Sequence, residues 1–195
     1  ITALAAVIAF IAILFISARY NYALHNFGFA QGDIGKAMFE FADLRSSLRA
    51  AIGYDNQEAI DAVVSQHDEL KTSFKESFAT VKDTIVSEDG RQTYEEIEAE
   101  LEAYMELDAQ IMAIGATTDR ELCKQAQELA LNGLADMYNS IYEKLSWLLS
   151  IKVSEGNRLS RQLNIAKWVL AVLILAAIGL AFASSMEIGR RIAKS

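Results

Sequence analysis

Two stretches of this chain contain no charged residue, and they fix most of what it can fold into. Ile1 to Ala18 is an eighteen-residue run, nearly all Ile, Leu, Ala, Val and Phe, that ends at Arg19. Trp168 to Met186 is a nineteen-residue run that follows Lys167 and closes before Glu187. A helix rises about 1.5 Å per residue, so about 20 apolar residues cross a hydrocarbon core roughly 30 Å thick. Both runs are therefore expected to be transmembrane helices in a lipid bilayer. Tyr20, Tyr22 and Trp168 stand beside them, where amphipathic rings favour the headgroup level. A cleaved signal peptide ending near Ser17-Ala18 is the alternative for the first run, although signal cores usually span only about 7–15 residues. The chain begins inside that run, which predicts a short cytoplasmic start before it.

Charge orients the spans. Arg190, Arg191 and Lys194 follow the second run, against a single acid, Glu187, and an excess of cations marks the cytoplasmic side. The section between Arg19 and Lys167 then faces outward. With Lys167 left out it holds 25 acids and 14 bases, near −11, in a chain of net charge −8. Such an acidic surface excludes nucleic acid as a partner, because phosphate needs a basic face. A hydrophobic content of 52% excludes a disordered chain, and one cysteine, Cys123, excludes a disulfide scaffold.

No proline occurs in the sequence, so nothing forces a helix to stop. Apolar residues in the middle section recur every three or four positions, the period of a helix with one buried face. The first helix carries Met38, Phe41, Leu44, Leu48 and Ile52, and the second runs from Ile60 through His67, Phe74, Phe78 and Val81 to Ile85. The third runs Tyr94, Ile97, Leu101, Tyr104, Asp108, Ile111. The fourth reads Leu122, Ala126, Leu129, Leu134, Met137, Ile141, Leu145, Leu148, and continues to Leu159 and Leu163. Breaks fall at Gly53-Tyr54-Asp55, at Asp89-Gly90-Arg91-Gln92 and at Gly115-Ala116-Thr117-Thr118. Asp55 with Glu58, and Thr118 with Glu121, are the expected capping pairs. Short connections make consecutive helices antiparallel. The expected fold is all-α: an antiparallel up-down four-helix bundle continuous with two transmembrane helices. Asp119 to Ser195 is expected to form one rod of 77 residues, roughly 115 Å long.

This order of elements, closed by Met186-Glu187-Ile188-Gly189-Arg190-Arg191-Ile192-Ala193-Lys194, resembles a bacterial methyl-accepting chemotaxis protein. The end is similar to the opening of a HAMP linker, with Ser195 where such linkers usually have proline. The run Asn26-Phe27-Gly28-Phe29-Ala30-Gln31-Gly32-Asp33-Ile34-Gly35 is also similar to receptors of this type from Gram-positive anaerobes. The resemblance divides the chain into residues 1–18 as the first transmembrane helix and 19–167 as an extracytoplasmic sensory bundle. Residues 168–186 become the second transmembrane helix and 187–195 the start of the cytoplasmic linker. It implies a homodimer in a bacterial plasma membrane. The bundle would read a small extracellular ligand, or a ligand-loaded binding protein, and would signal to an adaptor and kinase through a cytoplasmic region. The sensor half of a membrane histidine kinase shares this plan, and a helical interaction protein without a small ligand is a further alternative.

Arg45 and Arg49 lie one turn apart beside the apolar stripe of the first bundle helix. Paired guanidinium groups grip carboxylates with bidentate hydrogen bonds. The resemblance extends to this pair, which is similar to the arginines of the aspartate and serine receptors; the further arginine of those receptors is replaced here by Glu40. The alternative is that both arginines pair with Asp43 or a neighbouring helix on a wet surface. Asp108 falls on an apolar stripe and is a second candidate ligand contact, lining a polar pocket. Six further acids between Tyr94 and Asp108 spread around several helix faces and read as solvated surface. His67 is expected to be a hydrogen-bonded core histidine. With His25 the only other histidine, neither a metal site nor a nucleophilic triad is expected. No cofactor and no enzymatic activity are expected. Gly28 and Gly32, with Gly35 beyond, would allow close backbone approach or mark a bend. Phe74, Phe78, Tyr138, Tyr142 and Trp147 are expected in the core.

Overall fold

The computed structural model describes residues 2–192, and among them every regular element is helical. Helix α1 (Thr2–Ala23) passes through a π-helical turn (Leu24–Phe29) into α2 (Ala30–Ala51). Helices α3 (Gln57–Lys82) and α4 (Glu88–Gly115) follow. The fourth bundle helix is α5 (Arg120–Leu129), a second π-helical turn (Ala130–Leu134) and α6 (Ala135–Ile192). The fourth bundle helix thus runs on from Arg120 as one helical stretch with a single wider turn near its start, and Ala193 to Ser195 lie outside the described residues.

The caps differ in detail from those expected. Asn56, not Asp55, starts α3, its side chain accepting from the backbone N–H groups of Glu58 and Ala59. Ser87 caps α4 by accepting from Gly90 N–H, so Asp89-Gly90 lies inside the first turn. Asp119, not Thr118, starts α5 and accepts from Glu121 and Leu122. In each case a short side chain on extended backbone satisfies first-turn donors that have no partner within the helix.

One compact unit comprises Asn26–Ser154. Within it α2 packs on α3 and α4 on α5. Phe41 of α2 sits at the centre of an aromatic cluster. Its ring centroid is 5.2 Å from Phe74 on α3, 4.9 Å from Tyr104 on α4 and 4.9 Å from Tyr138 on α6. Phe74 continues to Phe78 at 5.9 Å and Phe78 to Tyr94 at 4.4 Å. Each such pair adds about 0.5–1.5 kcal/mol beyond its buried area, so one ring on α2 ties all four bundle helices together. Tyr142 and Trp147 are corrections to the expected core, because both are exposed. Lys152 is buried and its ammonium donates to the carbonyl of Thr84, beyond the last turn of α3. Gly32 and Gly35 have open space where a Cβ would stand, so neither marks a close approach.

The second unit holds the chain up to His25 and from Glu155 onward. On α1, Phe10, Ile11, Leu14 and Phe15 are exposed, and so are Trp168, Val172, Leu175, Ile178 and Phe182 on α6. A helix apolar all round needs a non-aqueous surrounding or a partner. Among the described residues one helical stretch, within Arg120–Glu187, is long and apolar enough to cross a membrane. Its most apolar window has a mean hydropathy of 2.5 and none of it is buried.

Candidate functional site

Buried apolar positions on the fourth helix explain the π-helical turn. Ala126, Ala130, Leu134 and Tyr138 all turn inward, completely or in part. Three successive steps of four residues outrun the 3.6-residue period of an α-helix. A wider turn at Ala130–Leu134 absorbs the excess and keeps the stripe facing the core. Leu122 and Leu129, both expected on that stripe, are exposed. The widened turn packs closely on α4: a Cβ at Gly133 would come within 3.1 Å of Leu107 Cδ2.

Opposite this turn, Leu44 and Leu48 anchor α2 in the core at 1% exposure and hold Arg45 and Arg49 beside it. A cleft of about 170 Å³ opens between the two walls. The structure brings both sequence-predicted arginines together in it, with Leu48 and Ile52 on α2, Gln127 on α5, Leu131 and Leu134 in the π-helical turn, and Tyr138 on α6. The Arg45 guanidinium carbon lies 4.1 Å from the Tyr138 ring centroid. Such stacking leaves the edge N–H donors of a guanidinium available. Gln127 Nε2 donates to the carbonyl of Ile52 at 3.1 Å, which closes the distal end of α2 and fixes that amide. Among the described residues neither Arg45 nor Arg49 forms an ion pair. Burial pushes the Tyr138 phenol above its ordinary range, and the Arg45 charge works against that rise.

Asp108 lies elsewhere. It is fully buried and does not line the cleft. Its Oδ2 faces His67 Nε2 at 2.8 Å and Lys71 Nζ at 2.9 Å. On the other side of the imidazole, Ser47 Oγ is 2.7 Å from His67 Nδ1 and donates to the carbonyl of Leu44 at 2.9 Å. A Ser–His–Asp string that the sequence had not suggested thus crosses α2, α3 and α4. It is not a nucleophilic site: Ser47 is 8% exposed and Asp108 0%, so no substrate carbonyl reaches the hydroxyl. Its chemistry is that of an internal polar tie, with Asp108 Oδ1 left without a partner among the described residues. Tyr104 stands between the two constellations. Burial and then the Asp108 charge push its phenol far above the ordinary value, while Arg45 and Arg49 pull it back.

Other charged groups are accounted for locally. Burial alone would raise the Glu40 carboxyl; the hydrogen bond from Ser73 and the Lys36 charge outweigh it and hold the group below its ordinary value. Most acids of the 95–106 segment are exposed, and Glu100 pairs with Lys144 and Ser140 of α6. Cys123 Sγ donates to the carbonyl of Thr117 at 3.0 Å, just beyond α4. No group of three or more His, Cys, Asp or Glu residues able to hold a metal occurs among the described residues.

The family described as a four helix bundle sensory module for signal transduction matches residues 31–165. That range contains Arg45, Arg49, the π-helical turn at 130–134 and Tyr138. No curated protein matches the chain.

Proposed function

The chain belongs to the family of four helix bundle sensory modules for signal transduction, and from that premise we propose that it is the sensory part of a transmembrane chemoreceptor. In this reading the bundle lies outside the cell, detects a small anionic molecule and passes a helix displacement inward. The observation that carries it is the pair of arginines without ionic partners in a cleft whose far wall is a π-helical turn. An anion between Arg45 and Arg49 gains charge-assisted hydrogen bonds to both. It also contacts the π-helical turn, a single-turn departure from an α-helix of a kind frequent at functional sites, and in this reading that turn exchanges with an α-helical register. A ligand shifts such an equilibrium only by binding one register better than the other.

The uncharged runs 1–18 and 168–186 supply the membrane attachment in this reading. The same helix that carries Tyr138 carries the second run, so a displacement begun at the cleft has a covalent path inward. Small shifts of packed helices are a common switching mode. Pairing of two copies, and relay through a HAMP-like linker to an adaptor and kinase, complete the proposal.

The test is a thermal-shift screen of the full chain in lipid nanodiscs against amino acids, organic acids and amines. Ligand that binds the native state raises the unfolding temperature. Stabilisation by an organic anion in the wild type, lost in Arg45→Gln and Arg49→Gln, supports the reading. Stabilisation that survives both substitutions, or is produced only by amines, overturns it.

A further inference from the structure

Resting on the reading of the arginine cleft as the sensory site, we propose that its ligand is an amine-free monocarboxylate with a compact apolar body, of the size of a branched six-carbon acid. The cleft's lining chemistry is lopsided. Among the described residues of one copy its lining holds two guanidinium groups and no carboxylate, and apart from Gln127 and the Tyr138 ring the remaining wall is aliphatic or small. The donor face of Gln127 is already committed to Ile52. A ligand carboxylate therefore finds two cationic forks, while a ligand ammonium finds no anion to pair with.

That asymmetry decides the class. The cleft is open to solvent at Arg49 and Leu131, so an ammonium there keeps part of its water, and what counts against it is standing beside two like charges with no counter-charge on either wall. An α-amino acid is thus selected against, although its carboxylate would be welcome. A second carboxylate gains little, because both arginines sit on one wall, one turn apart on α2, and the opposite wall is formed by Leu131, Leu134 and Tyr138. Size sets the body. The cleft measures about 170 Å³, and an apolar cavity of about 150 Å³ accommodates benzene, so a six-carbon body fills the space.

Leucine and 4-methylpentanoate make the test, because they share the carboxylate and the isobutyl body and differ only in the α-ammonium. Isothermal titration of the full chain in nanodiscs is expected to show 4-methylpentanoate binding at least ~10-fold more tightly than leucine, the scale of one unpaired polar group. Succinate is expected to bind more weakly than 4-methylpentanoate, and Arg49→Gln to weaken all carboxylates. Arg49 is exposed, so this variant keeps its fold. Leu131→Asp, also at an exposed position, supplies the missing anion and is expected to narrow or reverse the preference for 4-methylpentanoate over leucine. If leucine binds the wild type as tightly as 4-methylpentanoate, or succinate binds more tightly, the amine-free apolar class is wrong. The arginine cleft as sensory site still stands in that case if Arg49→Gln weakens the ligand that binds. If no carboxylate binds at all, both the class and the site fall together.

Discussion

Gly115 closes α4 where three elements converge, and replacing it tests how tightly the distal end of the bundle is built. A Cβ added there would stand 2.4 Å from the Cβ of Ala126 and 2.6 Å from Cγ2 of Ile52. Neither neighbour can yield by rotating a flexible end: Ala126 has no further atoms, and Ile52 is 3% exposed with its own Cβ 3.2 Å away. Gly115→Ala must therefore move α5 or the end of α2. Overpacking of this kind costs about 1–3 kcal/mol, offset by at most about 1 kcal/mol from the better helix propensity of alanine. A net loss of about 1–2 kcal/mol lowers the melting temperature of a domain this size by about 3–8 °C. Gly32→Ala is the matched control, because Gly32 is an exposed residue within α2 with nothing within 4 Å of the added carbon. It is expected to raise the melting temperature. The assay is thermal unfolding of the full chain in detergent, followed by circular dichroism. Ile52 also lines the arginine cleft, so Gly115→Ala is expected to weaken anion binding as well. A Gly115→Ala protein that melts at or above the wild-type temperature would refute this close-packing argument.

Asp108→Asn removes the charge that pairs with Lys71 and His67 while keeping the side-chain volume; breaking a buried ionic tie of this kind is expected to cost about 3 kcal/mol in urea unfolding, and a loss under about 1 kcal/mol would show the tie to be dispensable. Hydrogen bonds and lysine charges hold the Glu40 and Glu100 carboxyls below their ordinary value in the folded protein, so their stabilisation is present above the unfolded-state value and is lost as pH falls through the folded one. The unfolding midpoint is expected to drop on acidification below that range and to drop less in a Glu40→Gln, Glu100→Gln double variant; identical pH profiles would contradict the assignment. Deleting Asn132, an exposed residue of the π-helical turn, is expected to convert Ala130–Leu134 to α-helix without changing the buried face that follows. Amide hydrogen exchange across that segment should then slow, and unchanged or faster exchange would count against a strained register there.

The helices and their inward faces were readable because burial at helical period needs only local spacing: Phe41, Leu44 and Leu48, or Ile97, Leu101 and Tyr104, all lie in the core. The fourth helix is less legible. Spacing carries its stripe through Leu129, whereas the inward residue is Ala130, because hydrophobicity alone favours leucine over alanine at adjacent positions. The run of four-residue steps from Ala126 to Tyr138 is the signal that would have exposed the π-helical turn. Caps missed by a residue or two for a related reason: Asp55 and Asn56, or Thr118 and Asp119, are equally able to cap, and only the backbone conformation chooses. Pairing across helices was out of reach. Nothing in the spacing of Ser47, His67 and Asp108 announces that they share a level of the bundle, although each is a polar group beside or on an apolar stripe. Spacing and the family resemblance together point to Arg45 and Arg49, whereas the wall that faces them, made by Leu131, Leu134 and Tyr138, is visible only in the fold.

Sidedness of the bundle is the claim on which the sensory reading stands, and labelling with a membrane-impermeant maleimide measures it directly. Cys123 is the only cysteine in the sequence, so Cys123→Ser provides a clean background for single reporters. Lys124→Cys, at an exposed position on α5, and Gly189→Cys, exposed beyond the second uncharged run, report on the two sides. In intact bacterial cells expressing the chain, the reporter at position 124 is expected to label fully and the one at 189 only after the membrane is permeabilised. Labelling of 189 but not 124 in intact cells, or recovery of the protein in the soluble fraction, would contradict the account.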